Sequence, residues 1–307
     1  MLGLQKDLNK VPFEAYGTEL GLVYQEISHC LNHLKRWMRP QVVPTSIAHF
    51  PTRSKILSVP KGDILVISTW NYPFLLTLVP VVDALAAGNR VVVKLPKETK
   101  YSSEVLSKIL NHSNLSEWTQ AVSTPDEKII PELIELNTFN HILFTGSLRI
   151  GRLIYQKAAE KMIPVTLEMG GKSPCIVDET APLKTAAKRI AWAKSINAGQ
   201  TCVAPDYLLI HRSVHDVFVD ELKRAFDQLK LAESGDYCSM VNQHHFNRIQ
   251  GLLEQSPVVY ACSSKFNFPN QVFYTSPALA IQIEGKWVGL FVNEREDVRC
   301  SIIGEYR

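Results

Sequence analysis

From residue 16 to about 37, apolar residues recur at three-to-four spacing (Leu20, Leu22, Val23, Ile27, Leu31, Leu34), which predicts an amphipathic helix. Its end carries Lys35, Arg36 and Arg39, cations favoured at a helix C-terminus. Pro40, Pro44 and Pro51 then predict an extended connector. A regular alternation follows. Residues 63–68 read as a near-continuous apolar strand, 75–87 as a helix ended by Gly88-Asn89, 90–94 as a strand and 101–110 as a helix. Further strands are expected at 119–123 and 141–144, the latter leading into a helix over about 149–161. A second block opens with strands at 165–168 and 174–178. Asp178 or Thr180 is expected to cap the next helix, with Pro182 in its first turn and Gly199 just past its end. A strand at 207–211, a helix over 214–229 capped by Ser213, and a helix over 240–254 complete the regular part. Beyond about residue 260 the pattern weakens to a strand-like, turn-rich tail.

Short buried strands alternating with helices imply an α/β fold: a mainly parallel, doubly wound sheet with helices on both faces. Ligands in such sheets bind outside the carboxyl ends of the strands. The 307 residues suffice for two domains and a sizeable core. A net charge of +3, with no long basic run, gives no reason to expect nucleic acid. Six cysteines without CxxC or metal-ligand spacing read as reduced thiols in a cytoplasmic compartment. The histidines offer no metal site: His244 and His245 are adjacent on an expected helix and point in different directions. The N-terminus lacks the order of a signal peptide, and the longest apolar stretch, 72–82, is too short to span a bilayer. A soluble protein is expected, with peripheral membrane contact left open.

Four places carry candidate chemistry. Cys202 follows a helix end and precedes Pro205 on a turned connection, where a thiolate could attack an aldehyde carbon; a buried, inert thiol is the competing reading. Glu168 ends an apolar strand before Gly170 and Gly171 and could act as general base, or it could merely cap the next element. Asn71 directly follows the first strong strand; its amide could donate to an oxyanion or cap the following helix. Nearby Tyr72 and Phe74 could wall a substrate channel or be simple core. Gly146-Ser147, at a strand-to-helix junction, could present N–H groups to a phosphate, though the glycine pattern is not G-x-G-x-x-G. Lys94, at a strand end, could reach an adenosine ribose or phosphate, or stay solvated.

Together, four segments resemble the aldehyde dehydrogenase superfamily, most closely its class 3 (fatty aldehyde) branch. They are Thr69-Trp70-Asn71-Tyr72-Pro73-Phe74, Phe144-Thr145-Gly146-Ser147, Leu167-Glu168-Met169-Gly170-Gly171-Lys172-Ser173-Pro174 and Gly199-Gln200-Thr201-Cys202-Val203-Ala204-Pro205-Asp206-Tyr207. The resemblance covers roughly residues 1–260. It implies that Cys202 attacks an aldehyde, that Asn71 holds the oxyanion with the cysteine's own N–H, and that Glu168 activates water to cleave a thioester. It implies NAD or NADP as cofactor, contacted by Thr69, Trp70, Lys94, Lys97, Gly146, Ser147, Gly151 and Gly170. It further implies a Rossmann-like cofactor domain over 1–168, a partial α/β catalytic domain over 169–265, and a homodimer if the dimer surface survives.

Three departures qualify the resemblance. The family commonly has Lys-Pro-Ser-Glu where this chain has Lys94-Leu95-Pro96-Lys97. A lysine there removes a repulsion and adds an attraction for a 2′-phosphate, so NADP should be tolerated. The chain begins inside the family's first helical region. No Glu-Glu-Ile-Phe-Gly-Pro run appears, and 266–307 form a divergent tail that matches nothing in the family. On this reading activity is impaired, with a nucleotide-binding remnant and a cofactor-independent thiol esterase as the alternatives.

Overall fold

The computed structural model describes residues 1–126, 128–229 and 235–254, and the backbone of a strand pair at 281–283 and 286–288. Two short helices that the periodicity does not reveal open the chain: α1 (Leu2–Leu8) and the single turn α2 (Pro12–Ala15). At seven and four residues, both are shorter than the window over which helical periodicity can be read. α1 ends on Asn9 at φ 53°, the left-handed C-terminal cap that asparagine tolerates. The expected helix over 16–37 starts with a π-helical turn, Tyr16–Leu20, and continues as α3 (Gly21–Trp37).

The proline-marked connector is an antiparallel ribbon, β1 (Gln41–Val43) with β2 (Ser54–Ile56). Its prolines flank the ladder rather than interrupt it, the position a residue without an N–H must take. Ile47 and Phe50, at its tip, are 91% and 84% exposed.

The central sheet follows the expected alternation. β3 (Asp63–Ile67), β4 (Arg90–Lys94), β5 (Thr119–Val122), β6 (His141–Gly146) and β7 (Val165–Met169) are all parallel, in the spatial order β5-β4-β3-β6-β7. This is the Rossmann-like, doubly wound arrangement: the first strand is central and the order reverses between β3 and β6. Alternation along β3 feeds two cores. Ile64 and Val66 pack with Val91, Val93, α1, α4 (Leu75–Ala86) and α5 (Lys100–Leu110). Leu65 and Ile67 pack on the other face with Ile142, Phe144, α6 (Ile129–Leu136) and α7 (Leu148–Glu160). α6 is an addition to the sequence reading.

Two carboxylates distant in sequence cap these helices. Asp7 accepts the backbone N–H of Tyr101 (3.1 Å) and Ser102 (2.7 Å) at the start of α5. Glu19 Oε2 accepts those of Phe74 (2.8 Å) and Leu75 (3.4 Å) at the start of α4. Orphan N–H groups and the positive end of the helix dipole both favour a carboxylate there.

The second block is a smaller unit. β8 (Ser173–Val177) and β9 (Pro205–Ile210) pair in parallel, covered on one face by α8 (Leu183–Ser195) and α9 (His215–Leu229). Ile176, on the opposite face, is 73% exposed. α10 (Gln243–Glu254) follows, and β10 (Ile281–Ile283) with β11 (Lys286–Val288) form an antiparallel pair. Two expected caps are corrected. Asp178 Oδ1 accepts from the N–H (2.8 Å) and hydroxyl (2.7 Å) of Thr180, closing a local turn, while α8 starts after Pro182 with no side-chain cap. Ser213 lies inside a 3-10 turn whose preceding residue, His211, accepts the Ser213 N–H at 3.4 Å; α9 begins only at His215. Apart from β10 and β11, the tail expected at 266–307 lies outside the described residues, as do Cys262 and Cys300.

Candidate active site

The loop after β3 enters the crevice where the strand order reverses. Thr69 is buried, and Trp70 packs its ring 5.1 Å from that of His245 on α10. Asn71 does not cap α4, whose first N–H groups go to Glu19. Its Nδ2 donates instead to the carbonyl of Gln200 (3.0 Å), two residues before Cys202, and its buried Oδ1 has no partner among the described residues. An amide nitrogen has two hydrogens, so one N–H is fixed by Gln200 and the second remains to be donated. Tyr72 and Phe74 are buried, which makes them core rather than channel wall. The Tyr72 hydroxyl bonds Thr201 Oγ1 at 2.6 Å, and burial pushes its phenol above the usual range, so it stays protonated.

The cysteine segment comes to this loop through a sharp turn. After α8, Asn197, Ala198 and Gly199 all adopt positive φ (53°, 54° and 76°), a left-handed run that reverses the chain. Asn197 Nδ2 donates to the carbonyls of Asn71 (2.8 Å) and Gln200 (3.1 Å), and its backbone N–H goes to Glu14 Oε1 at 2.7 Å. Gln200 Nε2 donates to Asn197 O (2.9 Å) and Ser239 O (3.0 Å), while its Oε1 accepts the Val241 N–H (3.1 Å). Cys202 itself is a half-buried free thiol. Buried Cys238 donates its S–H to Glu14 Oε2 (3.1 Å), and burial holds it protonated.

The loop after β7 closes on the same segment. A Cβ at Gly171 would overlap the carbonyl oxygen of Cys202, so glycine is required by close backbone approach. Lys172 Nζ pairs with the buried Asp206 Oδ2 at 2.9 Å, four residues beyond Cys202. Glu168 lies beside Thr145 in the ladder and is exposed, and its side chain makes no ion pair or hydrogen bond among the described residues.

At the junction of β6 and α7, exposed Ser147 is the N-cap and accepts the Ile150 N–H at 3.4 Å. A Cβ at Gly146 would meet the Phe144 ring at 2.6 Å, and one at Gly151 would meet Met169 Sδ at 2.9 Å. Gly151 thus serves the close approach of α7 to the sheet. Lys94, at the end of β4, is buried rather than solvated, and Lys97 is exposed three residues on. Gly170 is half-buried between Glu168 and Gly171.

Residues 4–262 match the aldehyde dehydrogenase family. The chain belongs to that family. It is 41% identical over 256 residues to the 4,4'-diaponeurosporen-aldehyde dehydrogenase of Staphylococcus aureus, covering 82% of this chain and 55% of that one. It is 38% identical to the dimeric NADP-preferring aldehyde dehydrogenase of Canis lupus familiaris, with 84% and 57% covered. Among solved structures, the substrate-bound state of Staphylococcus aureus AldH superimposes with a TM-score of 0.84 at 37% identity, covering 90% of this chain and 60% of that one. The chain therefore spans little more than half the length of the curated relatives it matches.

The fold thus brings Asn71 and the Cys202 segment of this family member into hydrogen-bonded contact, and sets the Gly170-Gly171 loop against them. Glu168 is joined to the Cys202 segment through that loop, three residues before Gly171. Lys10, Glu14, Glu19, Asn197 and Gln200 are the parts of the site that sequence reading missed. Gln200 lay inside a quoted motif but carried no signal of its own. No helix among the described residues is long and apolar enough to cross a membrane.

Proposed function

We propose that the chain performs NAD(P)-dependent oxidation of an aldehyde to a carboxylic acid. What supports this most is the meeting of three distant segments: Asn71 on the Gln200 carbonyl, and Gly171 against the Cys202 carbonyl. On this reading Cys202 Sγ adds to the aldehyde carbon. The oxyanion that forms accepts the free Asn71 N–H and the Cys202 backbone N–H, donors that are rigid before the reaction begins. A nicotinamide dinucleotide supplies the hydride acceptor when bound. Cys202 then carries a thioester, and Glu168 takes a proton from the water that cleaves it.

The residues present fit such a cofactor. The crevice at the order reversal, the N-terminus of the 13-residue α7 and the lysine at the end of β4 are the donor set a dinucleotide requires. Thr69, Trp70, Lys94, Lys97, Gly146, Ser147 and Gly170 would line it, with Gly151 seating α7. Residues 1–168 form the nucleotide unit and 169–265 the cysteine unit. The apolar tip of the β1–β2 ribbon favours a second copy of the chain as partner, because an isolated two-stranded ribbon with exposed Ile47 and Phe50 is poorly stable alone.

The purified chain is given a medium-chain aldehyde with NAD or NADP and, separately, a p-nitrophenyl ester, alongside Cys202→Ala. Formation of NAD(P)H that disappears in the variant is expected. Ester cleavage without NAD(P)H, or nucleotide-dependent thermal protection without turnover, would overturn the reading.

A further inference from the structure

Lys10 and Glu19 are both fully buried, 0% exposed, and their Nζ and Oε1 lie 2.6 Å apart. Such a pair is weak evidence for stability, because desolvating two charges offsets most of their attraction. Its remaining contacts are more telling. Lys10 Nζ also donates to the carbonyl of Asn71 (3.3 Å) and sits 4.1 Å above the Tyr72 ring. Glu19 uses its other oxygen for the N–H groups of Phe74 and Leu75. Among the described residues, every side-chain hydrogen bond the pair makes outside itself therefore falls on backbone between residues 71 and 75. Burial raises the Glu19 carboxyl, while Lys10 and those N–H groups favour its charged form. From the same N-terminal arm, Glu14 holds the Asn197 N–H on the cysteine side.

We propose that the Lys10–Glu19 pair is a positioning element for the oxyanion donor, fixing the backbone of Asn71 so that its amide meets the Cys202 segment. The pair touches no reacting atom and acts through Asn71. This inference rests on the roles given above to Asn71 and Cys202.

The test is a set of variants of the full chain. Lys10→Met/Glu19→Leu removes both charges, so neither is left buried alone. With the fold retained by circular dichroism and thermal melting, kcat for aldehyde oxidation should fall about 10- to 100-fold, the scale of a misplaced donor. The aldehyde KM should stay within about threefold of wild type. In an Asn71→Ala background the same pair of changes should cause no further fall, because residues acting as one unit are non-additive. A merely structural role would lower kcat in both backgrounds alike. Should the double variant not fold, Glu19→Gln serves: one oxygen can satisfy Lys10 or the backbone N–H groups but not both, and a fall of about tenfold in kcat is expected. Wild-type kcat in the folded variants, or a full additional loss on Asn71→Ala, overturns the inference alone. A wild-type chain inactive with both nucleotides overturns the proposed function, and this inference with it.

Discussion

Replacing Gly171 by alanine tests the joint between the β7 loop and the nucleophile. The substitution carries no backbone penalty of its own, because Gly171 is not at positive φ. Its effect comes from overlap with the Cys202 carbonyl oxygen. An ordinary carbon–oxygen contact is about 3.3 Å, so one of the two backbones must retreat by about 1 Å, a displacement that costs about 100-fold in rate when it moves a reacting group. The overlapping atom belongs to the Cys202 backbone, with Ser173 Oγ next at 3.2 Å, so moving a side chain does not relieve the overlap. Overpacking of this kind also lowers stability by about 1–3 kcal/mol. Steady-state aldehyde oxidation should therefore show kcat reduced about 100-fold, while iodoacetamide still alkylates Cys202. Gly251→Ala, where a Cβ meets nothing within 4 Å among the described residues, is the matched control and should retain wild-type kcat. If Gly171→Ala keeps kcat within about threefold of wild type, the close approach has no bearing on the nucleophile.

Burial, helped by the positive charge of Arg248 and His244, lowers the His245 pKa to about 4. The unfolded chain takes up that proton near pH 6.5, so the neutral His245 contributes stability above that pH which is lost as pH falls towards about 4. Urea midpoints measured from pH 7 to 4 should fall less steeply in His245→Phe, and equal slopes would contradict the assignment. Ile47→Asp/Phe50→Asp should shift the chain from dimer to monomer in sedimentation velocity; a wild-type monomer would remove the ribbon from the proposed interface. Lys97→Glu should raise the KM for NADP about tenfold, the loss of one phosphate contact, with little change for NAD. Equal effects on both nucleotides would place Lys97 away from the 2′-phosphate.

What could be read in advance divides along local and non-local lines. β3 and β4 announce themselves because strands buried on both faces must be apolar along their buried length, as residues 64–67 and 91–93 are. Cys202, Glu168 and Asn71 stood out because each lies at or beside the end of an element, within three residues of a glycine or proline. Asp7, Glu14, Lys10 and Glu19 carried no such mark. Asp7 acts on residues more than ninety positions away and Glu14 on one 183 away, so only the fold defines their work. The same physics misled the local cap assignments. Asp178 and Ser213 have the chemistry of caps, but a nearer partner claims the first and a 3-10 turn displaces the second. The β1–β2 ribbon was hidden because three-residue strands between prolines show no alternation.

Gln200 explains why the nucleophile's surroundings form a single unit. Its side-chain amide spends both ends on backbone, reaching Asn197, Ser239 and Val241, while its own carbonyl accepts from Asn71 and Asn197. The residue is 1% exposed, so each of these bonds is made away from water, where an unmet partner would be costly. Four stretches of chain are tied there: the loop after β3, the turn after α8, the segment before α10 and, through Glu14, the N-terminal arm. Among the described residues, every anchor of the contact between Asn71 and the Cys202 segment lies between residues 10 and 241. On the proposed reading, the step in which Cys202 adds to an aldehyde is thus framed within the described chain. Ester cleavage needs the same cysteine to add to an ester carbonyl, with no hydride acceptor, and so tests that frame by itself.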